Sequence, residues 1–412
     1  MKFKKKLAVW KRAKKDVWLW FWVGLFIRLL IVPFFMNWDF WANTRLVAEF
    51  VQSGSLAQVY ANPLGTFPPL LFWTLGGYFK LVWGMLGSGF GEWLGYKELS
   101  ALSSVNIFRY MLVLKVIYLV AEMGAGYVLA LMFSGKERAL VWRWWMLSPV
   151  VIYAVEMFTN IDALPLVFMV LSLYWLKKEK GVRASVAMGL AAAYKMFPVL
   201  LFPLVVMQAR GVKEKLVRAA VMVGVFVGTQ VPAWGLSGYW SQVVFGDSGQ
   251  ALWSARVSLG GERAIYVYLL VYVVVLFWYG QGKKTFERLM LAGFGVMGGI
   301  FAFSVFHLQW FLWLVPWLMF YGVGVKQAGW ELWLANGMFW AMVAASAVSL
   351  NLGMLGPGEP TFWYLEWPVR GLVGERVFWL LGILQTCLAA ALAGMGYKWW
   401  RVIGTRRMDA QA

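Results

Sequence analysis

Asp39, Asp162, Lys195, Arg256 and His307 are the ionisable residues of this sequence whose types and settings could do chemistry. Asp39 stands in Asn37-Trp38-Asp39-Phe40-Trp41. A carboxylate among aromatic rings keeps a raised proton affinity and can act as a general base on a hydroxyl. The alternative is a helix N-cap, a position that aspartate favours. His307 is the only histidine, in Phe306-His307-Leu308-Gln309-Trp310. An imidazole there can orient or protonate a phosphate leaving group, with Gln309 hydrogen-bonding a sugar; a lone histidine beside aromatics is otherwise structural. Lys195, in Tyr194-Lys195-Met196-Phe197-Pro198, lies between two apolar runs. It suits either a phosphate or a salt bridge to Asp162 or Glu156. Arg256 and Arg263 can bind a pyrophosphate or phosphodiester, or simply face water. One histidine and one cysteine exclude a His/Cys zinc site. No Walker loop, Gly-rich nucleotide fingerprint or Gly-x-Ser-x-Gly elbow is present, so a cytosolic nucleotide is not an expected substrate.

The elements that must carry these residues are membrane helices. With 61% hydrophobic and 14% charged residues over 412 positions, and a mean hydropathy of +0.66, the chain has too little polar surface to clothe a soluble globule. The net charge of +19 sits in short basic runs between apolar stretches, the pattern of membrane orientation rather than of nucleic-acid binding. Cys387 has no partner for an intrachain disulfide and reads as an apolar packing residue. The 28 Trp and 17 Tyr suit interfacial belts. The apolar stretch Val17 to Met36 follows a basic run with no small-residue cleavage site, so a retained helix is expected.

Apolar runs near ~20 residues mark the passages, and Lys/Arg mark their cytoplasmic ends. Basic runs at Lys2 to Lys15, Lys136 to Arg143, Lys177 to Arg183, Arg210 to Arg218, Lys283 to Arg288, Lys326, and Lys398 to Arg407 are placed in the cytoplasm. Twelve passages are expected, near 17–36, 106–133, 142–158, 163–176, 184–195, 197–209, 216–236, 264–280, 288–306, 309–324, 330–352 and 377–397. This predicts an all-α polytopic protein with one transmembrane domain over 1–412, both termini cytoplasmic, and external loops at 37–106, 237–263 and 353–376. The orientation requires that Pro68 to Leu86, with its prolines, Gly76-Gly77 and Lys80, lies along the outer surface rather than crossing, as the amphipathic Asn43 to Tyr60 also does. Asp162 with Pro165, and Lys195 with Pro198, break two apolar stretches into hairpins turning near the outer face. Short broken helices with charged turns line cavities of protein rather than lipid. The same topology brings Asp39, Asp162, Lys195, Arg256 and His307 to one external side. No internal sequence repeat is evident, which counts against an inverted-repeat transporter.

Four segments, in order, resemble the GT-C superfamily of membrane glycosyltransferases, in particular its polyprenyl-phosphate-mannose-dependent members related to the GPI mannosyltransferase group. The first is Asp39 followed by Val59-Tyr60 and Thr66-Phe67-Pro68-Pro69-Leu70-Leu71. The second is Leu147-Ser148-Pro149-Val150 with Asn160-Ile161-Asp162-Ala163-Leu164. The third is Gly189-Leu190-Ala191 with Lys195 and Pro198, and the fourth His307-Leu308-Gln309-Trp310 with Trp313 and Pro316. Ser148 stands where the family usually has Asn, Thr159-Asn160 where it has Gly-Gln, and Trp310 where it has Tyr.

The resemblance implies a hexosyltransferase, mannosyltransferase-like, working in a cavity at the external membrane face. Its donor would be a polyprenyl-phosphate-linked sugar and its acceptor a lipid or glycan. Asp39 would be the catalytic base of an inverting transfer. Lys195, His307 and Arg256 would hold the donor phosphate, and Asp162, Gln309 and Tyr60 would contact sugar or acceptor. Asp39 has no second acidic residue within two positions, so the metal-binding Asp-x-Asp of some relatives is absent and metal-independent chemistry with no cofactor is expected. The alternative of another class is a transporter or flippase of lipid-linked saccharides, whose cavity would also need scattered charges. A third is a non-catalytic subunit of a glycosylation complex.

Overall fold

The computed structural model describes residues 2–96, 98–325, 329–346, 352–364 and 374–408. Lys326, used above to orient the chain, lies outside the described residues, as do Lys97, Arg370 and parts of the expected passage 330–352 and loop 353–376. In chain order the helices are α1 Lys2–Ile31, α2 Trp38–Ser53, α3 Leu56–Ala61, α4 Pro69–Leu86, α5 Phe90–Gly95, α6 Glu98–Leu102, α7 Ile107–Leu131, α8 Gly135–Met146 and α9 Pro149–Ile152. They continue as α10 Ala163–Lys177, α11 Gly181–Tyr194, α12 Phe202–Met207, α13 Val212–Gln230, α14 Ser237–Tyr239, α15 Asp247–Gln250, α16 Val267–Gln281, α17 Phe286–Phe303, α18 Val315–Gly324, α19 Trp330–Ala345 and α20 Val377–Met408. Among the described residues one antiparallel hairpin, β1 Arg256–Gly260 with β2 Arg263–Tyr266, interrupts the helical pattern; it closes the expected loop 237–263 and takes the first three residues of the expected passage 264–280. It ends at Tyr266, just where α16 begins.

The molecule is an all-α, membrane-embedded protein. Among the described residues, five segments are long and apolar enough to cross a bilayer: Asp16–Phe34, Ile107–Leu131, Val212–Ala233, Phe286–Phe303 and Val377–Gly404. Four further apolar helices are shorter, at Ala163–Lys177, Phe197–Met207, Val267–Gln281 and Val315–Gly324. Large side chains such as Trp22, Phe26, Phe277, Phe378 and Trp379 stay exposed on these elements. Water would penalise such a surface, and lipid would not.

The breaks between helices are where sequence and structure meet most closely. Pro33, without an amide donor, ends α1 in a 3₁₀ turn at Val32–Phe34. The helix that follows is capped by Asn37, whose side chain accepts from the Asp39 amide at 2.8 Å. Gly54, at φ 65°, closes α2 in the left-handed conformation that glycine favours. The expected passage 142–158 is broken differently: α8 starts at Gly135 and stops at Met146, and Pro149 restarts the chain as α9 and a π-helical turn, Tyr153–Met157. The passage 197–209 opens as a 3₁₀ segment, Phe197–Leu201, before α12.

The polar ties of α4 meet other helices only near their ends. Thr74 Oγ1 lies 2.8 Å from the hydroxyl of Tyr194, the last residue of α11. Tyr78 donates to the Val113 carbonyl, and Arg109 donates to the Leu86 carbonyl at 2.8 Å. Both Arg109 and Val113 belong to the first two turns of α7.

Candidate functional site

Asp39 occupies the first turn of α2, but the cap is Asn37, so the capping alternative for Asp39 does not hold. Its carboxylate is half-buried and takes no hydrogen bond or ion pair from a described residue. Burial raises its pKa above the usual carboxylate range, the charges of His307 and Lys195 pull it back, and that of Asp162 raises it again. Four of the five residues singled out by sequence are thus close enough to act on one another's charge.

Lys195 reaches them from the break between α11 and the Phe197–Leu201 turn. Its backbone is extended, and its Nζ donates to Asp162 Oδ1 at 2.7 Å. Asp162 lies at the start of α10, buried, and its second oxygen, Oδ2, has no hydrogen-bond partner. The approach to Asp162 is a tight turn in which Thr159, buried, has φ 56°. This is the left-handed region that favours glycine, and the position is the one where the resembled family has glycine. Thr159 holds the turn by donating to the Glu156 carbonyl at 3.3 Å, and the Asn160 side chain accepts from the Ile161 amide at 2.7 Å.

His307, Trp310 and Trp313 share one face for a reason of period. Residues Leu308–Trp313 form a 3₁₀ helix, with about three residues per turn, so side chains three apart eclipse. The indole rings of Trp310 and Trp313 stack at 5.0 Å and 13°, Phe197 stacks on Trp313 at 3.6 Å and 8°, and His307 meets Trp310 edge-on at 5.0 Å. Lys195 Nζ lies 5.2 Å from the Trp310 ring centroid and 5.0 Å from that of Trp313. The aromatic wall therefore both shields the cation and attracts it. His307 is exposed, yet surrounding protein lowers its pKa by desolvation, with Asp39 and Asp162 raising it and Lys195 lowering it. Its imidazole is mostly neutral near pH 7 and offers one N–H donor.

Three anchors hold this arrangement. Lys115, in α7, donates to the carbonyls of Val32 at 3.2 Å, Phe35 at 2.5 Å and Glu156 at 3.1 Å, tying the chain just before Asp39 to the chain just before Asp162. Gln385, in α20, donates to the carbonyls of Phe301 and Ser304 at 3.2 and 2.8 Å, fixing the end of α17 three residues before His307. Ser254 Oγ accepts from the Val305 amide at 3.0 Å and roots the β1–β2 hairpin against the same loop.

Comparison of the chain with protein-family models and with curated proteins finds no match. What the site can do rests on its own geometry.

Gln309 is buried in the same 3₁₀ turn. Two other expected site residues lie apart from the cluster. Arg256 is exposed at the start of β1 and is not among the charges that act on Asp39 or His307. Tyr60 is buried with its hydroxyl donated to the Phe67 carbonyl at 2.8 Å and its ring against Phe72 and Tyr239, so it locks the 60–67 loop. Trp313 and Phe197 were passed over as site residues. The signal was present: Trp310 and Trp313 are three apart, next to Pro316, in a segment too short and too crowded with rings to hold a long α-helix. Among the described residues no three His, Cys, Asp or Glu side chains form a metal-ligand group. Asp39 and Asp162 are the carboxylates a divalent cation would meet here, and Lys195 already pairs with Asp162.

Proposed function

We propose that the chain is a polytopic GT-C-like glycosyltransferase that moves a hexose, mannose by resemblance, from a polyprenyl-phosphate donor to a lipid or glycan acceptor at the external membrane face. The observation that carries this reading is the Asp39 carboxylate, of raised pKa and without a hydrogen bond or ion pair to any described residue, within electrostatic reach of the Lys195 ammonium and the His307 imidazole. In the proposed step Asp39 takes the proton of an acceptor hydroxyl, and that oxygen attacks the anomeric carbon from the face opposite the phosphate. The bond from anomeric carbon to phosphate oxygen breaks, and polyprenyl phosphate leaves with the electron pair, inverting the centre. Lys195 and His307 hold the phosphate oxygens, since charge-assisted donors aimed at developing negative charge act most strongly in a partly desolvated site. The orphaned Asp162 Oδ2 accepts from a sugar hydroxyl. No metal enters this scheme.

Purified protein in detergent, given hexose-labelled polyprenyl phosphate and candidate acceptors with a strong chelator, should transfer label with inversion. Absence of transfer together with saccharide flux in sealed vesicles would establish the transporter alternative instead. Activity lost in chelator and restored by Mg²⁺ or Mn²⁺ would overturn metal independence.

The reading includes twelve passages, cytoplasmic termini and a non-crossing α4, supported by the basic runs and by the end-on ties of α4. In a Cys387→Ser background, single cysteines at Glu92 and Arg138, both exposed, should label from opposite sides of the membrane. Labelling from one side only would defeat the topology.

A further inference from the structure

One cleft lies on α2 but outside the cluster around Asp39. It encloses about 340 Å³, is lined mainly by polar surface, and follows the helix face carrying Trp38, Arg45, Glu49 and Gln52, with Asn62 and Leu94 opposite. Spacings of seven, four and three residues keep those four side chains on one stripe of α2. At 1.5 Å per residue the stripe from 38 to 52 runs ~21 Å. The volume falls within that of small-ligand sites, about 300–1,000 Å³.

The lining is unusual in being unspent. Arg45 and Glu49 are one turn apart, yet no ion pair joins them; the order cation first, then anion at i+4, is the weaker of the two arrangements. Arg45 lies over the Trp41 ring, 5.9 Å from its centroid, and none of Arg45, Glu49 and Gln52 makes a side-chain hydrogen bond or ion pair to a described residue. Asn62 uses its oxygen on the Leu64 amide, which leaves its NH₂ free. A guanidinium, a carboxylate and two amides are planar groups that can each make paired hydrogen bonds to adjacent hydroxyls. Trp38 supplies a half-buried ring face at one end. The charges of Arg45 and Glu49 cancel, so the cleft matches a neutral, hydroxyl-rich ligand longer than one ring. Its polar lining does not suit a hydrocarbon chain.

We propose that this cleft binds a neutral oligosaccharide, laid along α2 with one end at Trp38. Trp38 and Asp39 share the first turn of α2, so a glycan that ends at Trp38 has its terminus within one helical turn of the carboxylate. The role as acceptor site rests on the transferase reading, whereas the binding of saccharide does not.

The test is equilibrium binding to the purified protein in detergent, by calorimetry or saturation-transfer NMR, with soluble manno- and gluco-oligosaccharides of two to five units and no donor. Saturable binding is expected, rising in affinity with length. Trp38→Ala and Glu49→Gln should each weaken it about tenfold or more, the worth of one hydrogen bond to a charged group or one lost ring. Should Trp38→Ala elute as aggregate, Gln52→Ala on the exposed end of the stripe carries the same expectation at smaller size. No binding in a protein that still transfers hexose to another acceptor would overturn the cleft and leave the transferase standing. Binding in a protein that transfers nothing would uphold the cleft and remove its acceptor role. Preference for glycerophosphoethanolamine over the sugars would also overturn it, since a zwitterion would then be the ligand of Arg45 and Glu49.

Discussion

Two groups of acids and bases lie inside this molecule, and they use the same side chains differently. In the inner group, Arg28, Lys115, Glu122 and Glu156 are each no more than 1% exposed. Arg28 donates to Glu122 at 2.5 Å and to the Met146 carbonyl at 2.7 Å, with Glu156 at 3.3 Å, and Trp145 donates to Glu122 at 2.8 Å. Gly126, one turn after Glu122, and Gly24, one turn before Arg28, leave room for Trp145 and Met146 to come that close; a Cβ at either would collide. In the outer group, the Asp39 carboxylate has no hydrogen bond or ion pair among the described residues, half of the Asp162 carboxylate is unpaired among them, and His307 is exposed. A charge at membrane depth is tolerated when its neighbours compensate it. Where compensation is left incomplete beside an opening, the vacancy is available to a ligand. The inner group also leaves both Glu156 carboxylate oxygens without a hydrogen bond, but it is sealed from solvent, so what sets the outer group apart is unpaired carboxylate beside an exposed imidazole.

The contrast can be broken most severely at Asp39. Asp39→Asn should lower sugar transfer by ~10²- to 10⁴-fold, the usual cost of a positioned base, with folding and donor binding retained because Asn37 keeps the cap. Near-normal transfer would end the assignment. Next in size, Arg28→Met should destabilise the protein by about 3–5 kcal/mol through the unpaired Glu122 and Glu156, measured by thermal or denaturant unfolding in detergent, while Arg28→Met with Glu122→Met should recover much of it. Equal instability of single and double variants would show that the pairing does not matter. Lys195→Ala should weaken donor binding by about 10- to 100-fold. It should also shift the pH dependence: ionised Asp39 is the base, so the rate rises with pH through its pKa, and removing Lys195, which lowers that pKa, moves the rise to higher pH. A rise that moves to lower pH, or stays in place, contradicts the electrostatic link. Smallest, Lys115→Met should reduce kcat about tenfold with KM for donor little changed, and Lys115→Arg should restore part of it, because Lys115 positions Asp39 without touching substrate. A fall confined to stability would make Lys115 structural only.

The sequence made the breaks legible. Proline after Asp162 and after Lys195 places both charges at helix ends, and the structure has them there, joined by an ion pair. Asp39, Asp162, Lys195 and His307 could be gathered from basic-loop topology because that argument needs only which end of each helix faces outward. It could not tell Arg256, exposed on a hairpin, from the residues that meet, since being on one side is far weaker than being in contact. Nor could it tell that Asn37 rather than Asp39 caps α2, as either residue type serves. The inner group was invisible for a plainer reason: Arg28 and Glu122 are 94 positions apart, and nothing local pairs them. The π turn at Tyr153–Met157 and the 3₁₀ turn at Leu308–Trp313 carry no periodicity long enough to read, and it is the second that aligns the aromatic wall.

The tie from Gln385 to the end of α17 bears on how the protein is made. Ribosomes deliver the chain from its first residue, and the carbonyls of Phe301 and Ser304 wait for a donor that is synthesised 81 residues after Ser304. The loop bearing His307 gains this anchor, beside the one from Ser254, when α20 has docked on α17. A nascent chain that has not yet made α20 would then hold its carboxylates and lysine without this tie on the His307 loop, so docking of α20 would serve as a completion check on the site.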